Sequence, residues 1–181
     1  NAADPKVKLK IDHTYRVAAL CERIANSLAL PPQDVDLAWL CGLLHDVGRF
    51  EQLRRYGTFI DAQSIDHALM SVTVLFEEGR LRDYIAGTDE DVLLRTAIRL
   101  HNAYRLPAEL DDRTRMFCQI LRDADKIDIL RVNVETPMEQ IYNVSTEALR
   151  QSPVSPAVLD AFYEHHCVLR TLNHYPADNA V

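Results

Sequence analysis

The sequence predicts an all-α fold, a helical bundle in a single domain, on three observations. Apolar residues recur at three- and four-residue intervals along successive stretches. Proline and glycine stand where those stretches end, and no run alternates with the two-residue period of a strand. The 181 residues are enough to bury about two-thirds of the unfolded surface in one core, so one domain over residues 1–181 is expected. Residues are 48% hydrophobic and 26% charged, ordinary for a globular protein, and no apolar run reaches the roughly 18 residues a membrane span needs. No signal-peptide pattern opens the chain.

Taken in order, Lys10 to about Leu30 carries Val17, Leu20, Ile24 and Leu28 on one face and stops at Pro31-Pro32, with His13 one turn before Val17. A second helix from Gln33 turns Leu37, Leu40, Leu43 and Leu44 inward and runs into His45-Asp46, where Gly48 can end it. Glu51 to Ile65 is mixed and aromatic and reads as a loop crossing the surface near that dipeptide. Ser64 or Asp66 can cap a third helix to about Glu78, with His67, Met70 and Val74 inward and Gly79 as its stop. A short amphipathic piece, Leu81 to Ala86, precedes a fourth helix from Asp89 that presents Val92, Leu93, Ala97 and Leu100 and finishes at His101. The fifth, about Arg113 to Val132, has Phe117, Ile120, Leu121, Ile127 and Ile129 as inner positions. Of its carboxylates only Asp125 stands four residues from both Leu121 and Ile129, which turns it inward while Asp123 is solvated. Ser155-Pro156 opens a last helix through about Leu172, with Val158, Leu159, Phe162, Cys167 and Leu169 as packing residues.

Cys21, Cys41, Cys118 and Cys167 include no Cys-x-x-Cys pair and read as core residues of a cytoplasmic protein. Acidic residues outnumber basic ones 27 to 20, net −7, which disfavours long nucleic-acid duplexes as partners. A small anionic substrate stays open, because bound cations can reverse a local field.

Separate helices thus each turn a metal-competent side chain inward: His13, the His45-Asp46 pair, His67 or His101, and Asp125. Buried one by one, each would need its own partner, whereas a metal satisfies all of them together. His165, His166 and His174 lack such company and read as surface or packing residues.

The stretches His13-Thr14-Tyr15-Arg16-Val17, Leu44-His45-Asp46-Val47-Gly48-Arg49 and Arg122-Asp123-Ala124-Asp125-Lys126-Ile127-Asp128 resemble the HD-domain superfamily of metal-dependent phosphohydrolases, over about residues 9–131. The segment beyond, including a helical stretch at about 155–173, lies outside the likeness. The resemblance implies an all-α bundle of the HD type, with His13, His45, Asp46 and Asp125 as ligands of one metal. His67 and His101 stand where two-metal members have further histidines, which makes two metals the favoured expectation. The Gly-Tyr-Pro tripeptide of the cyclic-dinucleotide hydrolases is missing. The implied activity is hydrolysis of a small phosphorylated or nucleotide substrate by a metal-activated water, with Asp46 bridging the ions and Arg49 and Lys126 holding substrate phosphate. Imidazole and carboxylate ligands suit iron or manganese, with nickel, cobalt, zinc or magnesium as alternatives. Two other readings stand beside this one: di-iron oxygen chemistry of the HD type, and a regulatory domain that binds a nucleotide without cleaving it.

Overall fold

The computed structural model describes residues 5–137, 141, 144–165 and 167–180. Among them the regular elements are all helical and none is a strand, as expected of an all-α chain. None of the helices described is long and apolar enough to cross a membrane. The chain divides into two compact units, Asn1–Asp128 and Ile129–Val181.

The first unit contains α1 (Pro5–Ser27), α2 (Pro32–Leu44), α3 (Val47–Tyr56), α4 (His67–Val72), α5 (Asp91–Leu100) and most of α6 (Asp112–Glu135). Its core is built from Val17, Cys21 and Ala25 of α1, Ala38, Cys41 and Leu44 of α2, Leu94, Ala97 and Ile98 of α5, and Phe117, Cys118 and Leu121 of α6. Glycine lets α1 and α2 pack backbone to backbone. A Cβ added to Gly42 would fall 2.6 Å from Ala18 Cα, so nothing larger fits without driving the helices apart. Burial pushes the Cys21 thiol up to about 12 and Cys118 up to about 11, which leaves both as protonated packing groups.

Asp66, one of the two caps expected for α4, accepts from the backbone N–H of Ala68 at 2.9 Å and of Leu69 at 3.4 Å. α4 continues into a π-helical turn, Thr73–Glu77, and Gly79 (φ +76°) closes it.

Other expectations fail for identifiable reasons. Glu51 to Tyr56 is helix rather than loop, because α3 runs from Val47 to Tyr56 and ends at Gly57 with φ +68°. Its inward residue is the fully buried Gln52, a polar side chain that hydrophobic periodicity cannot detect, and Glu51 pairs with Arg54 and Arg55 on the outside. Gly48 does not end a helix; it lies in the first turn of α3, where an added Cβ would sit 2.3 Å from Ser71 N of α4. Val92 is 78% exposed, Ile127 47% and Ile129 37%. On α6 the buried face is set by Leu121, Ala124, Asp125 and Asp128, so the inner stripe near the site is polar. Leu28 falls beyond the end of α1 and is exposed.

In the second unit α7 (Thr146–Gln151) is capped by Ser145 Oγ, which accepts from Ala148 N at 3.1 Å. α8 (Pro156–Tyr163) begins after Ser155 as expected but stops well short of Leu172, with His165 in the left-handed region at φ +58°. Short 3₁₀ turns follow at Arg170–Leu172 and Pro176–Ala180. Of the packing residues expected here only Val158 is buried, while Leu159, Phe162, Leu169 and Cys167 are exposed. Asp178 ties this unit together: its carboxylate accepts from Ser155 N (2.7 Å), Ser155 Oγ (2.8 Å), His174 N (2.7 Å) and Tyr175 N (2.8 Å). His165 and His174 are exposed, and His166 lies outside the described residues.

Candidate metal centre

Six side chains from α1, α4 and α6 and from the ends of α2 and α5 meet inside the first unit. His13, His45, Asp46, His67, His101 and Asp125 are all buried. The phase of α1 delivers His13 one turn before the buried Val17. The α2–α3 junction delivers His45 and Asp46, and the contact of Gly48 with α4 brings His67 alongside them. Ser71 locks that contact: it donates to His45 O at 2.7 Å and accepts from Gly48 N at 2.9 Å.

Each histidine has its Nδ1 committed to an oxygen. His13 Nδ1 is 2.7 Å from Asp128 Oδ2, His45 Nδ1 2.7 Å from Gly42 O, His67 Nδ1 2.6 Å from Asp61 Oδ2 and His101 Nδ1 2.7 Å from Ile98 O. A proton on each Nδ1 satisfies these oxygens and leaves four Nε2 lone pairs turned to the centre, the arrangement that orients metal-binding imidazoles.

The two oxygens of Asp46 face two different groups. Oδ2 lies 3.7 Å from His45 Nε2 and 4.0 Å from His13 Nε2, and Asp125 Oδ1 closes that group at 3.2 Å from His13 Nε2 and 3.9 Å from His45 Nε2. Oδ1 lies 3.7 Å from His67 Nε2 and 3.9 Å from His101 Nε2. Two metal-competent triads therefore share one carboxylate: His13, His45 and Asp46, and Asp46, His67 and His101. Asp61, Asp66 and His67 also gather, but Asp66 is engaged as the α4 cap and with Arg99, and His67 Nδ1 is already bonded to Asp61.

Charge and burial fit a cation here. Burial by itself would raise Asp46, yet the Lys10 ammonium and the Arg49 guanidinium help hold this carboxyl well below the usual range. Asp125 is also held low against its burial, by the hydrogen bond from His13 and the charge of Lys126. Burial lowers His45 and pushes His101 down to about 3, so both stay neutral and keep their lone pairs. His13 goes the other way, since Asp125 and Asp128 overcome the effect of burial and raise it. His45 Nε2 and Asp46 Oδ1 are buried with no hydrogen-bond partner, and the Nε2 atoms of His67 and His101 stand 3.0 Å apart. Facing lone pairs and orphaned acceptors are costly unless a positive centre lies between them. The donor set can hold a metal ion.

Sequence reasoning missed the residues that support this ring. Asp128 is buried against His13, and its signal was its position three residues after Asp125 on the same helix. Lys10 Nζ lies 2.9 Å from Asp46 Oδ2, three residues before His13 on α1. Asp61 and Gln52 carried no signal. Arg49 Nη1 donates to Gln52 Oε1 (2.9 Å), Phe59 O (2.7 Å) and Asp61 Oδ1 (2.5 Å). Gln52 Nε2 reaches Asp61 Oδ1, Ser64 Oγ and Ile65 O, so both side chains fasten the 57–66 loop that presents Asp61 to His67. Arg49 also keeps Nε 3.7 Å from Asp46 Oδ1. Lys126 Nζ lies 2.7 Å from Asp125 Oδ2 on a side chain that is 61% exposed.

Fold and site together define a helical domain whose buried histidines and aspartates can hold metal. The HD-domain family model matches residues 11–130, and the chain belongs to the HD-domain family. No curated protein and no solved structure matches the chain.

Proposed function

We propose that the protein is a metal-dependent phosphohydrolase that cleaves a small phosphoester or nucleotide and uses two divalent ions. The observation that carries this reading is the division of Asp46, one oxygen toward His13 and His45, the other toward His67 and His101. Asp125 completes the first set. The family match supports the hydrolase class, and the imidazole-carboxylate donors favour iron or manganese. When bound, such ions supply Lewis acidity toward phosphate oxygens and a water of lowered pKa.

The protein's own groups do the rest. Asp128, Asp61 and the carbonyls of Gly42 and Ile98 fix the tautomers, so that all four imidazoles present Nε2. Arg49 places positive charge beside Asp46 while anchoring the 57–66 loop, and Lys126, largely in solvent, offers an ammonium to a phosphate arriving at Asp125.

The test is phosphate release from a panel of phosphomonoesters, nucleotides and dinucleotides, with protein stripped by chelator and then reloaded with manganese or iron. Turnover should require the reloading. Asp46→Ala should lose both the bound metal and turnover while the circular dichroism of the helices is kept. Undiminished turnover by metal-free Asp46→Ala would overturn the proposal.

A further inference from the structure

On α6, Arg115, Gln119 and Arg122 follow one another at spacings of four and three residues, which places them on one helix face. That face lines a cavity of about 410 Å³, together with Tyr104 and Arg105 from the segment after α5 and with Asp123. Three guanidinium groups against one carboxylate is a strong local reversal in a chain of net charge −7, and local fields rather than net charge choose small ions.

Two of the three arginines are held in place by backbone. Arg115 Nη2 donates to Pro107 O at 2.9 Å and Ala108 O at 3.1 Å, and Arg122 Nη2 to Tyr104 O at 3.3 Å. Arg105 stacks on Tyr104, with Cζ 5.4 Å from the ring centroid. Arg122 Nη1 is buried and has no hydrogen-bond partner. That nitrogen is out of reach of a ligand, but the remaining guanidinium groups lining the cavity are fixed forks that match the oxygens of a phosphate. Two of the lining residues are close along the chain to residues of the metal centre. Arg122 precedes Asp125 by three residues, about 4.5 Å along the helix axis, and Tyr104 follows His101 by three.

We propose that this cavity binds a phosphate group, and that the substrate carries two separated phosphoryl groups, one in this cavity while the other is at the metal centre. The second half rests on the phosphohydrolase reading; the first does not.

The test is calorimetric titration of the full chain, stripped of metal, with inorganic pyrophosphate. Wild type should bind saturably, and Arg122→Met and Arg105→Met should each weaken binding about tenfold, the loss expected for one charge-assisted contact. Because Arg115 and Arg122 also hold the loop, Arg105→Met is the variant that spares those bonds. Asp46→Ala should bind as wild type does, since it alters the metal centre alone. No binding by wild type, or binding lost in Asp46→Ala and kept in the arginine variants, would overturn the site. In metal-loaded protein Arg105→Met should raise KM for a bisphosphate and leave KM for a monophosphate unchanged; an equal effect on both removes the two-phosphate assignment. Pyrophosphate binding without hydrolysis of any ester would leave the cavity standing and remove the hydrolase reading.

Discussion

Replacing Asp61 by Asn keeps the size and one acceptor oxygen of the side chain but removes the charge that faces His67 Nδ1 at 2.6 Å. The same carboxylate also accepts from Arg49 and Gln52, so an amide must either turn its NH₂ toward one of these donors or give up the imidazole. A charge-assisted hydrogen bond is worth about 1.5–3 kcal/mol, which converts to about a 10- to 100-fold loss of affinity, the range found when partners of metal-bound histidines are removed. The loss should fall on one site only. His67 belongs to the triad with Asp46 and His101, whereas His13 and His45 take their support from Asp128 and Gly42. Chelated protein titrated with manganese, with free ion counted by electron paramagnetic resonance, reads both sites in one curve. Wild type should fill two sites, and Asp61→Asn should fill one with unchanged affinity and the other only at much higher concentration. Equal weakening of both sites, or of neither, would refute the assignment of Asp61 to His67 and of His67 to a separate ion.

Other substitutions test other contacts. Lys10→Met should tighten manganese binding about three- to tenfold, because an ammonium 2.9 Å from Asp46 Oδ2 competes with the ion for that oxygen; the same titration reads it, and weaker binding would contradict the competition. Gly48→Ala must fit a Cβ 2.3 Å from Ser71 N, an overpacking worth about 1–3 kcal/mol. That should lower the melting temperature by roughly 3–10 °C in calorimetry, and an unchanged melt would mean that the α3–α4 approach is looser than described. Asp178 is held low because the backbone N–H groups of Ser155, Tyr175 and His174 outweigh its burial. Its contribution to stability is therefore present above about pH 4, the carboxyl's unfolded value, and is lost as pH falls toward the lower folded value. Amide exchange in the 152–178 segment should rise over that acid range in wild type, and already be raised at neutral pH in Asp178→Ala; a flat response in both would exclude the role of this carboxylate.

The helices most legible in the sequence were those whose inner face is apolar. α1, α2 and α5 have their alanines, leucines and cysteines at helical intervals, and each carries or leads into a site residue at its inner phase. α3 was hidden because its buried positions are Gly48 and Gln52, a glycine selected by close backbone approach and an amide selected by a loop, and neither adds to an apolar stripe. On α6 the inward turn of Asp125 was inferred from Leu121 and Ile129. Leu121 is buried and Ile129 is not, so half of that support was misplaced although the residue is where it was expected. Asp128 was overlooked because a second buried acid makes sense only once His13 is opposite it, a contact across 115 positions of sequence that periodicity along one helix cannot supply. Asp61 sits in a loop with no period at all. In the second unit a short helix with one buried residue, Val158, left the longer pattern to Leu172 without a surface to follow.

Asp46 is proposed above to serve two ions. Anomalous diffraction from crystals of the manganese-loaded protein, recorded at the manganese edge, tests it without reference to any substrate. Two peaks about 3.5–4 Å apart are expected, one beside Nε2 of His13 and His45 and the other beside Nε2 of His67 and His101, with one Asp46 oxygen on each. A single peak at full occupancy, or two peaks of which only one touches Asp46, would contradict it.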